Sequence, residues 1–156
     1  MPEIRQMSEF ALIGIKTSTS NQDEMSGSNA RIPGLWNDYF RKGVSSRIPN
    51  KLSGGSTFAV YTDYESDHNG RYSLVLGEPV SSLQEIPDGM VGITVPAASY
   101  LVFSAEGPVP ESIVTAWGEI WSYFQGNQKE TRAYSSDFEL YRSDANDGAE
   151  IFIAIK

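Results

Sequence analysis

Hydrophobic and polar positions along the chain fall into two periods. Ile32, Leu35, Trp36, Tyr39 and Phe40 recur at i, i+3, i+4, i+7 and i+8, the stripe of a helix that buries one face. Ser28 or Asn29 is placed to cap that helix and Gly43 to end it. Ile113, Trp117, Ile120, Trp121 and Phe124 make a second stripe, with Pro110 and Glu111 suited to its first turn and Gly126-Asn127 to its end. The period of two marks strands: Phe10 to Thr17, Phe58 to Tyr64, Arg71 to Val80, Ser99 to Ala105, Phe138 to Arg142 and Ala149 to Ile155. Asn69-Gly70 and Asp147-Gly148 close two hairpin loops. Polar stretches from Thr17 to Gly27 and from Arg41 to Ser56 read as loops that could form mobile rims. The stretch from Ser81 to Pro96, with Pro87-Asp88-Gly89 inside it, reads as a linker.

These elements occur in the same order twice. Trp36 and Trp117 lie 81 positions apart, each within a helical stripe. Phe58-Ala59-Val60-Tyr61 returns 80 positions later as Phe138-Glu139-Leu140-Tyr141. Repetition of four elements predicts an α+β fold of duplicated β-α-β-β units. The expected architecture is an antiparallel sheet with two main helices on one face and a ligand groove between them. One domain over 1–156 is expected, with pseudo-repeats at about 10–80 and 97–156.

Composition narrows the classes. The 156 residues are 40% apolar and 21% charged, ordinary for a globular chain with one core. Twelve basic residues are scattered among twenty acidic ones for a net charge of -8, which argues against direct binding of nucleic acid. No apolar run is long enough to span a bilayer and the N-terminus lacks a signal-type apolar core, so a cytoplasmic location without membrane contact is expected. Zero cysteines exclude disulfides, zinc-thiolate sites and a cysteine nucleophile. The sole histidine, His68, sits in a polar hairpin loop, a poor start for a triad or a metal site. Ser53-Gly54-Gly55-Ser56 lacks the lysine of a phosphate-binding loop, and Asp63, Glu65 and Asp67 lack the terminal glutamate of a calcium loop. No cofactor, metal or catalytic set is expected.

The informative residue is Glu139. On a strand it shares a face with Tyr141, while its repeat counterpart is Ala59 beside Tyr61. If the halves pair about a pseudo-twofold axis, these groups converge with Trp36, Trp117 and Trp121 between the helices. A buried carboxylate without a partner is costly, and a ligand cation ringed by aromatic faces would offset that cost. The bland alternatives are a water-exposed Glu139 at a sheet edge and tryptophans that only fill the core.

The run Phe58-Ala59-Val60-Tyr61-Thr62-Asp63-Tyr64-Glu65-Ser66-Asp67, then Asn69-Gly70-Arg71-Tyr72 and Leu76-Gly77, resembles the GyrI-like family. So does the end of the chain, where Phe138-Glu139-Leu140-Tyr141 precedes Ala149-Glu150-Ile151-Phe152-Ile153. This family holds the effector-binding domains of AraC-type and multidrug-responsive transcription regulators, and the nearest type is a stand-alone integron-cassette member that binds cationic drugs. The resemblance implies a glutamate on the penultimate strand contacting cationic ligands, a position Glu139 matches, with Tyr61, Tyr141, Trp36 and Trp117 as lining residues. Nine residues before the first expected strand leave no space for a helix-turn-helix, so transcription activation by this chain alone is not expected. Binding of a small hydrophobic cation, for sensing or sequestration, ranks first. The alternatives are a hydrolase opening cyclopropane rings of DNA-alkylating compounds, with Glu139 as base and a tyrosine as proton donor, and a gyrase-inhibitor-like protein. A protein partner or a homodimer stays open.

Overall fold

A computed structural model describes residues 2–52, 56–67, 69–108, 111–126, 129–142 and 148–156. His68, residues 53–55, Pro110, Asn127 and the end loop at 143–147 lie outside the described residues. The elements in order are β1 (Glu3–Met7), β2 (Phe10–Ser20), α1 (Asn21–Met25), α2 (Ile32–Arg41), α3 (Val44–Arg47), β3 (Thr57–Thr62), β4 (Arg71–Val80), β5 (Val91–Val95), β6 (Ala98–Ala105), α4 (Glu111–Gly126), β7 (Asp137–Tyr141) and β8 (Ala149–Ile155). All eight strands form one sheet in the order β1-β6-β8-β7-β3-β4-β2-β5, and every pairing is antiparallel.

The expected duplication is present. Outward from the centre, β7-β8-β6 mirrors β3-β4-β2, each set the strands of one β-α-β-β unit. At the β3–β7 pair Ala59 stands opposite Glu139, its own repeat counterpart. The pseudo-twofold axis therefore passes through this pair, and Glu139 sits at the middle of the sheet rather than at its edge.

Two strands escaped the sequence pattern. β1 precedes the first unit yet pairs with β6, while β5, inside the stretch read as a linker, pairs with β2. These exchanged strands dictate the sheet's curvature. β1 and β2 occupy the first and seventh places, about 29 Å apart in a flat sheet at the usual strand spacing. Met7 and Phe10, however, are joined by two residues, and such a step reaches about 10 Å at most. The sheet must curl until its ends approach. Gly14 and Gly77 face each other where β2 meets β4. A side chain on Gly14 would lie 1.9 Å from the Leu76 carbonyl oxygen, so only glycine permits this close crossing.

Curling divides the core. The concave face folds on itself around Leu12, Val60, Tyr100, Phe138 and Phe152. On the other face α2 packs over Ile13, Ala59, Leu74 and Leu76 through Leu35 and Tyr39. There α4 packs over Leu101, Ile151 and Ile153 through Ile113, Ala116 and Ile120. Both predicted helical stripes are realised except at their outer ends, where Phe40 is 70% and Trp121 41% exposed. Gly43, at φ +59°, ends α2 as expected. The cap is different: the helix starts after Arg31, and neither Ser28 nor Asn29 caps it. Instead Glu24 accepts hydrogen bonds from the backbone N–H groups of Arg31 (2.8 Å) and Ile32 (3.1 Å). The stretches expected as rim loops also hold structure, because β2 continues to Ser20 and α1 and α3 follow.

Candidate functional site

Period-two alternation puts Phe138 and Leu140 of β7 into the concave core, and Asp137, Glu139 and Tyr141 on the helical face. α2 and α4 cover opposite halves of that face and leave a cavity of about 710 Å³ along the axis between them. Glu139 lies on its floor at 2% exposure. Tyr61 Oη (2.8 Å) and Trp117 Nε1 (2.7 Å) donate to its Oε2, and Tyr141 Oη donates to Oε1. Among the described residues no Lys or Arg forms an ion pair with it. Burial pushes the Glu139 carboxyl above the usual carboxylate range, while the bonds from Tyr141, Trp117 and Tyr61 pull it back. Burial and the nearby glutamate hold both phenols well above the ordinary tyrosine value, so they remain neutral donors.

Aromatic rings rise from this floor in two walls, one ending on each helix. Tyr141 meets Trp36 edge-to-face at 5.2 Å, and Trp36 stacks on Phe40 at 5.8 Å. Tyr61 meets Trp117 edge-to-face at 5.5 Å, and Trp117 lies 6.4 Å from Trp121. Each wall joins a strand of one repeat to the helix of the other, so neither half alone completes the site.

The cavity wall brings together Glu139, Tyr141, Tyr61, Trp36, Trp117 and Trp121 from the predicted set. Ala59 is the exception: its methyl group is fully buried beneath α2 and does not reach the wall. Its smallness still matters, since a longer side chain there would press on Glu139 across the β3–β7 pair. Tyr64, Tyr72, Thr57, Glu24 and Arg132 also line the cavity and were not foreseen. Period-two alternation gave a signal for Tyr72, which shares the face of Leu74 and Leu76 on β4, and for Thr57, which shares that of Ala59 and Tyr61 on β3. Arg132 carries no free charge to the wall, because its Nη2 lies 2.7 Å from Asp137 Oδ2. A hollow of similar size on the other side of α4, about 740 Å³, is rimmed by Glu106, Glu111 and Glu119. Those carboxylates are exposed, and nothing there holds a charge out of water.

No group of His, Cys, Asp and Glu suited to a metal occurs among the described residues, and no described helix is long and apolar enough to cross a membrane. An apolar, aromatic cavity with a few convergent polar groups defines the class: a small-molecule-binding protein. The chain belongs to the integron-associated effector binding protein family, whose model matches residues 3–155. It is 32% identical over 152 residues to YobU of Bacillus subtilis (strain 168), named as a candidate transcriptional regulator, covering 92% of this chain and 90% of that one. Its fold matches the integron cassette protein VCH_CASS2 from the mobile metagenome of Vibrio cholerae at a TM-score of 0.84 and 30% identity, over 99% of this chain and 95% of that one. It also matches SAV2435, solved bound to tetraphenylphosphonium, at 0.82 and 23% identity, over 100% and 94%; this likeness is one of fold.

Proposed function

We propose that the cavity binds lipophilic aromatic cations, with Glu139 as the counter-charge, and that the chain serves to sense or sequester such compounds, alone or with a partner regulator. The observation that carries this reading is a carboxylate removed from water with neutral donors and, among the described residues, no Lys or Arg in ion-pair contact. An isolated buried charge costs several kcal/mol on an order-of-magnitude scale, and three hydrogen bonds offset only part of it. A guest that is positive and greasy supplies the missing charge while its rings displace water from the walls. Aromatic faces add about 0.5–2 kcal/mol each where they meet the cation.

All three tryptophans of the chain line this cavity, so intrinsic fluorescence reads its occupancy. Tetraphenylphosphonium, the ligand in the SAV2435 structure, is the natural probe, set against a neutral tetraaryl isostere. The cation is expected to quench and shift the emission at lower concentration than the isostere, and Glu139→Gln to abolish that preference. Equal affinity for charged and neutral forms would remove the carboxylate from the recognition.

A further inference from the structure

The wall leading from Glu139 toward the start of α2 carries a second carboxylate. Tyr61, which donates to Glu139, packs edge-to-face on Tyr72 at 5.7 Å. The Tyr72 hydroxyl donates to Asn21 Oδ1 (3.1 Å), and Asn21 opens α1, the helix that holds Glu24. Glu24 lines the same cavity as Glu139. After burial, Glu24 and then Glu139 hold the Tyr72 phenol above its ordinary value, so both carboxylates lie within electrostatic reach of one ring. Glu24 is fixed in place by the N–H groups of Arg31 and Ile32 and by the Thr19 hydroxyl. No Lys or Arg forms an ion pair with it among the described residues, although its neighbour Asp23 takes Arg71 at 3.1 Å. The other charged group on the wall, Arg132, is already matched by Asp137. Two carboxylates that pair with no described Lys or Arg thus stand at the two ends of a tyrosine-faced wall.

We infer that the cavity is built for dications: molecules with two positive centres joined by an aromatic spacer, one centre at Glu139 and the other at Glu24, with the spacer along Tyr61 and Tyr72. This rests on the reading of Glu139 as a cation anchor and adds Glu24 as a residue that selects among cations. The N-terminus of α2 already offsets part of the Glu24 charge, and this side chain is only half-buried. Its contribution is therefore smaller than that of Glu139.

The test uses bis(amidinophenoxy)pentane and its mono-amidine analogue, titrated against the whole chain by tryptophan fluorescence and calorimetry. The dication is expected to bind at least about fivefold more tightly than the monocation, beyond the statistical advantage of two identical ends. In Glu24→Gln the ratio of the two affinities should fall to that statistical level, with circular dichroism confirming the fold. Equal affinities in the unmodified chain, or a ratio that survives Glu24→Gln, would overturn the second anchor and leave the role of Glu139 standing. Should Glu24→Gln loosen α2, a series of bis-amidines with different spacer lengths decides on the unmodified chain. A preference peaking at one length supports two fixed anchors, and a flat dependence refutes them. Failure of the amidines and of tetraphenylphosphonium alike to bind would overturn the proposed function as well.

Discussion

Asp137 and Glu139 stand two residues apart on β7, on the same face and both out of water, yet they are held in opposite ways. Asp137 takes Arg132 at 2.7 Å, the Tyr64 hydroxyl at 2.5 Å and the Ala154 backbone N–H at 2.7 Å. Its charge is matched and its lone pairs are used, so it ties β7 to the segment that carries Arg132 and to β8. Glu139 has three neutral donors and a cavity where a counter-ion would be. A third buried carboxylate, Glu78, is served by the Ser45 hydroxyl and by Lys51 at 3.6 Å. Burial of an acid is thus common to all three. Among the described residues Glu139 is the one of the three with no Lys or Arg in ion-pair reach, and that difference is what the proposed role as a cation anchor rests on.

The contrast can be broken most forcefully at Asp137. Asp137→Asn leaves Arg132 buried without its anion and should cost about 3 kcal/mol of stability, read from the urea midpoint at unchanged slope. A loss well below that would mean the two carboxylates are less different than their surroundings imply. Glu139→Gln should do the reverse. Its amide oxygen can keep the bonds from Tyr61 and Trp117, its amide nitrogen can donate to the Tyr141 hydroxyl, and the desolvated charge is gone. Thermal stability of the free protein should stay level or rise, while cation affinity falls by about 2 kcal/mol. A clear drop in free-protein stability would show that the ionised form is structural after all.

A smaller effect comes from pH. A carboxyl raised above its unfolded value binds more protons in the folded state than in the unfolded one. Through that window stability falls as pH rises, and the full penalty is present above the raised value. A bound cation offsets the penalty only where Glu139 is ionised. Stabilisation by tetraphenylphosphonium in thermal melts should therefore fade on acidification through the raised value, and a pH-independent shift would count against this. The smallest effect belongs to the rim. Phe40→Ala removes an exposed ring stacked on Trp36 and should weaken binding by about 0.5–1 kcal/mol without altering stability. A larger stability loss would place Phe40 in the core.

Much of this site was legible because repetition and period act on neighbours in sequence. The helical stripes located Trp36, Trp117 and Trp121, and alternation placed Glu139 beside Tyr141 on one face. The Phe-x-x-Tyr repeat aligned Ala59 with Glu139, and the sheet pairs them. What stayed hidden depends on distant contacts. β1, Glu-Ile-Arg-Gln-Met, has no fully buried residue and sets only Met7 against the core, too little of an apolar face to announce it. β5 is five residues long and its role as an edge strand is set by β2. Glu24 reached the site by capping a helix eight residues ahead, where local rules favoured Ser28 or Asn29. Arg132 lies outside every named helix and strand, in a segment no period describes.

The most direct measurement is the titration of the Glu139 side-chain carboxyl carbon by NMR, with and without tetraphenylphosphonium. The free protein should show a midpoint above the ordinary glutamate value, and the cation should draw that midpoint downward by stabilising the ionised form. An ordinary midpoint that does not respond to the cation would contradict the account.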